Sequence, residues 1–164
     1  GRDNVITNNI IVNPGNNALR FDDRAREGAL ENGWFTHAYV GSGDMWEALY
    51  NSPWQSETWQ NAFPEYKNCT DDISKSDSPD YIPNPASTFK NNIIINKNMG
   101  YGEVYSSVWK FSDISENGIY NVGKCDEIFV DIDNGDYNIK DIDEIRKVAP
   151  DFKEIPLDMI GRVN

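Results

Sequence analysis

Two hexapeptides, "NNIIVN" at residues 8–13 and "NNIIIN" at 91–96, decide how the rest of the chain is read. Each is a β-branched run bracketed by asparagines. β-Branched residues suit strands. Three successive Ile or Val positions without polar alternation suit a strand buried on both faces or stacked among neighbours. Asparagine tolerates left-handed backbone and bonds its own main chain, so the brackets suit tight turns. The chain carries twenty asparagines in 164 residues, enough to place one at many turns. Asparagines at equivalent turns can bond from one strand to the next.

Working outward, short strands are expected at 18–22 ("ALRFD"), 104–111 ("VYSSVWKF"), 118–122 ("GIYNV"), 127–132 ("EIFVDI") and 136–140 ("DYNIK"). Short strands parted by Asn- and Gly-rich turns argue for an all-β architecture. A sandwich would show more polar alternation and more Asn-Gly hairpins. The expectation is therefore a parallel β-helix, a solenoid whose strands stack coil on coil. It is expected as one domain over 1–164. Coils occupy 4–23 and 87–140, an insertion 24–86, and a C-terminal cap 141–164.

The insertion breaks the strand pattern. Met45, Trp46, Leu49 and Tyr50 recur at helical spacing, with Ser42 or Asp44 as N-cap and Pro53 as stop. "SETWQNAFPEY" predicts a second short helix, capped by Ser56 and ended by Pro64. Residues 70–86 read as a polar, proline-rich surface loop. A long excursion of this kind is usually functional or disordered, and its four tryptophans (Trp34, Trp46, Trp54, Trp59) argue against disorder. In the tail, Asp141 caps a short helix stopped by Pro150. Phe152, Ile155, Leu157 and Ile160 are then anchors that cover an open end of stacked strands.

The bulk numbers narrow the partners. Hydrophobic residues make up 38%, enough for a core at this length. The formal charge is −12, from 27 acidic and 15 basic residues. Such a field disfavours nucleic acid and anionic membranes, but not neutral sugars. No apolar run approaches the roughly 18 residues that span a bilayer. The opening "GRDNVITNN" shows no signal-peptide pattern, so the chain reads as mature or as a piece of a longer protein. Cys69 and Cys125 fit no clustered zinc pattern and leave both one disulfide and two separate thiols open.

Three blocks carry a resemblance. They are "RFDDRAREGALENGWFTH", "MWEALYNSPWQSETWQNAFPEY" and "FVDIDNGDYNIKDIDEIRKVAPDFKEIPLDMIG". In order and spacing they resemble the C-terminal part of bacterial right-handed parallel β-helix proteins of the pectate-lyase-like superfamily. The nearest likeness is to the β-helical glycoside hydrolases with α-L-fucosidase and xylanase activities. Ala25 stands where that group usually has a glycine, and an insertion parts Arg24 from Gly33-Trp34. The resemblance implies a secreted or periplasmic glycoside hydrolase acting on a polysaccharide or oligosaccharide, its remaining N-terminal coils supplied by a longer parent chain. The alternatives are a non-catalytic glycan-binding or structural cap and a calcium-assisted polysaccharide lyase.

The resemblance maps a functional aspartate to Asp22. Strand alternation puts Arg20 and Asp22 on one face, with Leu19 and Phe21 on the other. Arg24 extends the polar face and would keep Asp22 ionised, as suits a nucleophile, a base or a hydroxyl acceptor. Hydrolysis needs a second, protonated carboxyl, for which Asp44, Glu47 and Glu27 are candidates. A structural ion pair explains Asp22 and Arg24 equally. His37 is either a sugar contact or a packed residue. Trp34 and Trp54 are the candidates for stacking on a sugar face, against a purely structural role. No cofactor is required. "DIDNGD" at 131–136 alternates carboxylates as calcium loops do, but lacks an EF-hand's distal glutamate and reads equally as a turn.

Overall fold

The computed structural model describes residues 2–15, 17–21, 23, 47–48 and 51–157. The chain divides into two compact units. Unit 1 comprises Gly1–Asn4, Phe21–Ser87 and Val104–Asp113; unit 2 comprises Val5–Arg20, Thr88–Glu103 and Ile114–Asn164. In chain order the strands and α-helices are β1 (Val5–Thr7), β2 (Ile10–Val12), β3 (Leu19–Phe21), α1 (Glu57–Ala62), β4 (Thr88–Lys90), β5 (Ile93–Asn96), β6 (Gly102–Val104), α2 (Ser106–Phe111), β7 (Gly118–Asn121), α3 (Cys125–Ile128), β8 (Phe129–Asp131), β9 (Asp136–Ile139) and α4 (Ile142–Arg146).

The two asparagine-bracketed runs lie side by side. β2 and β5 pair parallel, with Ile10 opposite Ile93 and Val12 opposite Ile95, and β7 continues the sheet with Gly118 opposite Ile93. Ile93, Ile94 and Ile95 are all 0% exposed, so β5 is buried on both faces as its unbroken apolar run requires. β1 pairs parallel with β4. At the start of the central sheet, amides form a ladder. The Asn9 N–H and Nδ2 both donate to Asn92 Oδ1, at 3.0 and 2.9 Å. The Asn92 N–H and Nδ2 donate in turn to Asn117 Oδ1, at 2.9 and 3.0 Å. The residues just before each amide, Asn8, Asn91 and Glu116, have φ of 59°, 51° and 53°, the left-handed corner that lets the strands begin in register.

The right-handed parallel β-helix expected from the sequence is not what forms. The described residues build sheets of only two or three strands, with α-helices between them and no solenoid. The physical reason lies in the spacing. Ladder partners Asn9 and Asn92 are 83 residues apart, whereas Asn92 and Asn117 are 25 apart, so no coil repeats at a fixed length. Beyond β7 the chain turns helical in α3, and β8 then pairs antiparallel with β9, Phe129 opposite Ile139. Gly135 makes that reversal at φ 79° after a 3₁₀ turn, and an antiparallel return ends parallel stacking. The strand expected at 104–111 is likewise mostly α2. Ser107, Val108 and Phe111 share one buried face at helical spacing, and that burial overrides the β propensity of the segment.

Unit 2 closes around Ile93, Ile95, Ile128, Phe129, Ile145 and Phe152. Each large side chain taken out of water there contributes about 1.5–3 kcal/mol. α4 starts at Asp141, whose Oδ1 accepts from the N–H groups of Asp143 and Glu144 at 3.0 and 3.2 Å. The segment after it crosses the strand corners. The Asp151 N–H donates to Asn91 Oδ1 at 3.0 Å and the Lys153 N–H to Asn8 Oδ1 at 2.5 Å, while Phe152 between them is 1% exposed.

In unit 1, Ser56 caps α1 through a 3.3 Å bond from the Trp59 N–H, and Phe63 and Pro64 end it. Residues 70–86 are more than a surface loop. Thr70 and Tyr81 form a parallel bridge, and buried Asn84 donates to the carbonyls of Ser76 and Ser78 at 2.9 and 2.6 Å.

Candidate functional site

The parallel pairing of β2 and β5 sets the loops that follow them next to each other. Between these loops, at the carboxyl ends of the strands, lies an open groove of about 590 Å³ within unit 2. Loops at the carboxyl ends of parallel strands are a common place for ligands, because the strands fix the loop ends and leave their side chains free to converge. Asn13, Asn17 and Asn98 supply amides to the wall, Lys97 and Glu103 supply one charge of each sign, and Tyr101 supplies a ring.

The backbone that shapes the groove is left-handed at several points, Asn13, Gly15, Met99 and Gly102 among them. Gly102 is the tightest. Its φ is 116°, and a Cβ there would stand 2.6 Å from the Asn17 Cβ, so no other residue fits without moving the facing wall. Asn96 is engaged locally: its Nδ2 donates to the Gly100 carbonyl at 2.7 Å and its Oδ1 accepts from the Asn98 N–H at 3.1 Å. Among the described residues, the side-chain amides of Asn13, Asn17 and Asn98 make no hydrogen bond within the protein. The Tyr101 ring meets Phe89 edge-on at 6.0 Å, and its hydroxyl accepts from Asn117 Nδ2 at 3.3 Å, which ties the groove to the amide ladder. Glu103 is held by Arg20, Nε to Oε2 3.2 Å, with both side chains half or more exposed.

Chemically, each free amide offers two donors and an acceptor. Such groups match hydroxyls, which also donate and accept. The two lining charges, Lys97 and Glu103, are of opposite sign.

Of the residues singled out by sequence, Asp22, Arg24, Trp34, His37 and Asp44 lie outside the described residues, as does Glu27. Glu47 is exposed in a helical turn. Trp54 is 4% exposed, so its ring offers no face to a ligand. Along β3, Leu19 is buried, Arg20 exposed and Phe21 half-buried, as alternation predicts for those three positions, and Asp23 beyond the strand is buried. The groove itself went unread in the sequence. Its only signal was the asparagines that cluster after both hexapeptides, in "NPGNN" and "NKNMGYG".

In the 131–136 segment two of the three carboxylates are engaged in turns. Asp131 accepts from the Asn134 N–H and Nδ2, and Asp136 from the Asn138 N–H and Nδ2, so both carboxylates serve turns. Among the described residues no group of three or more His, Cys, Asp or Glu is placed to hold a metal ion. Cys69 and Cys125 are both free thiols, and burial pushes both above the usual thiol range, away from nucleophilic reactivity. No helix among the described residues is long and apolar enough to cross a membrane.

Comparison with protein-family models, with curated proteins and with solved structures gives no match to this chain.

Proposed function

We propose that this protein binds neutral carbohydrate, and that the asparagine-lined groove between the β2 and β5 loops holds the glycan. The observation that carries the reading is the set of three amides without a partner among the described residues, Asn13, Asn17 and Asn98, beside Tyr101 in one open groove whose two lining charges are of opposite sign. Amides can satisfy the paired donor and acceptor of each sugar hydroxyl, and an aromatic edge or face meets its C–H surface. The acidic balance of the chain, −12 overall, is indifferent to a neutral glycan and opposed to a polyanion. The likeness of the three sequence blocks to β-helical glycoside hydrolases points to the same class of ligand.

Binding is better supported than hydrolysis. Glycoside hydrolysis takes two carboxyls about 5–9.5 Å apart across the sugar. Among the described residues the groove presents one, Glu103, and Arg20 holds it. A hydrolytic role would rest on Asp22 as the ionised carboxylate with Asp44 or Glu47 as the acid.

The test is a titration of ¹⁵N-labelled protein with neutral xylohexaose and with a fucosylated oligosaccharide. Saturable shifts are expected at the side-chain amides of Asn13, Asn17 and Asn98, and a combined Asn17→Ala, Asn98→Ala variant should lose them with its far-UV circular dichroism unchanged. Absence of any saturable shift, or shifts that survive the double variant, would refute the assignment.

A further inference from the structure

We propose that Glu103 is a charge gate that sets the groove's preference for uncharged over acidic sugars, an inference that rests on the glycan reading above. Glu103 follows Gly102, whose left-handed backbone brings the next residue to the groove wall. Arg20, on β3, bonds one of its carboxylate oxygens at 3.2 Å. Lys97 lines the same groove and has no carboxylate within 4 Å among the described residues. Glu103 and Lys97 thus line the groove with opposite charges, and Arg20 reaches it through its bond to Glu103.

The sign of the groove depends on the negative one. With Glu103 ionised, Arg20 directs its guanidinium at the protein's own carboxylate, and an incoming uronate meets that carboxylate as a like charge. A hydroxyl meets no such penalty, because it can donate to the remaining oxygen of Glu103. Without the carboxylate, Arg20 and Lys97 are both available to a ligand carboxylate, and Arg can receive it through two parallel N–H groups. One residue therefore decides between hydroxymethyl and carboxylate at the same position of a sugar ring. Both side chains of the pair are substantially exposed, 63% for Arg20 and 50% for Glu103, so the pair contributes little to stability and its replacement leaves the fold intact.

The experiment compares the wild-type protein with Glu103→Gln and Arg20→Gln, measuring affinity for trigalacturonate and for neutral xylohexaose by calorimetry at low and high salt. Removing a like charge about 5 Å from the ligand carboxylate, in a water-filled groove, raises affinity roughly fivefold to tenfold. Glu103→Gln should therefore gain about that factor for trigalacturonate, gain nothing for xylohexaose, so that the ratio of the two affinities moves toward the acidic sugar, and lose the gain at about 0.5 M salt. Arg20→Gln, which leaves Glu103 uncompensated, should move trigalacturonate the other way. A Glu103→Gln protein whose trigalacturonate affinity stays within twofold of wild type overturns the gate. Neutral binding without that gain sinks the gate and keeps the glycan-binding function; no saturable xylohexaose binding by the wild-type protein sinks the function and the gate with it.

Discussion

Replacing Asn92 with alanine removes the middle of the amide ladder, and the structure sets the size of the effect. Asn92 is 0% exposed. Its Oδ1 accepts two bonds from Asn9, and its Nδ2 lies within reach of the Ile6 carbonyl at 3.0 Å, the Lys90 carbonyl at 2.9 Å and Asn117 Oδ1 at 3.0 Å. The Asn92 N–H keeps its own bond to Asn117, since the backbone is unchanged. What is lost is the satisfaction of groups on both neighbouring strands, together with the volume of the amide. Asn9 is exposed and can rehydrate. The part-buried carbonyls lose a donor at about 1 kcal/mol each, and the void adds to that. The expected destabilisation of unit 2 is about 3 kcal/mol. Asn9→Ala, at the exposed end of the ladder, should cost about 0.5–1 kcal/mol, because the Asn9 N–H still reaches Asn92. The assay must follow unit 2. All five tryptophans fall in unit 1, so their fluorescence does not serve. Amide hydrogen exchange at Ile93, Ile94 and Ile95 does, and there Asn92→Ala should accelerate exchange about a hundredfold. Exchange within threefold of wild type, or an Asn9→Ala protein as damaged as Asn92→Ala, would refute the view that the ladder holds these strands in register.

The other expectations concern the core, the groove and alkaline pH. Phe152→Ala, which empties a position 1% exposed among Ile93, Phe129 and Ile145, should cost about 3–5 kcal/mol by urea denaturation followed by circular dichroism, while half-buried Ile155→Ala should cost clearly less. Gly102→Ala adds a Cβ 2.6 Å from Asn17 at a φ of 116°, so xylohexaose binding should fall at least tenfold; unaltered binding would remove the groove from consideration. Burial, and then the charge of Glu144, raise the Tyr120 phenol above its usual range. The folded state therefore holds that proton longer than the unfolded state. Tyr120 contributes stability that is full below the unfolded value of 10.0 and is lost as pH rises through the higher folded value. Tyr120→Phe should flatten the fall in stability above about pH 10, as read by denaturation midpoints between pH 8 and 11.

The features legible in the residues alone are local. The left-handed asparagines, the caps at Ser56 and Asp141, the reversal at Gly135 and the doubly buried isoleucine run follow from backbone preferences and from neighbours a few residues away. The likeness of "NNIIVN" to "NNIIIN" also foretold strands that start at equivalent corners, and β2 and β5 do pair in parallel register. How far that pairing extends depends on long-range packing. The 104–111 segment reads as a strand, yet most of it becomes α2, with Val108 and Phe111 buried on one face. β8 and β9 are strands by sequence, yet their antiparallel direction depends on one turn. Trp54 is indistinguishable from its fellow tryptophans until packing buries it. The groove joins residues 13–17 to 96–103, and its charge gate joins Arg20 to Glu103. No local rule links positions so far apart; they meet because the strands beneath them align, and the chemistry of the site exists only once that alignment is made.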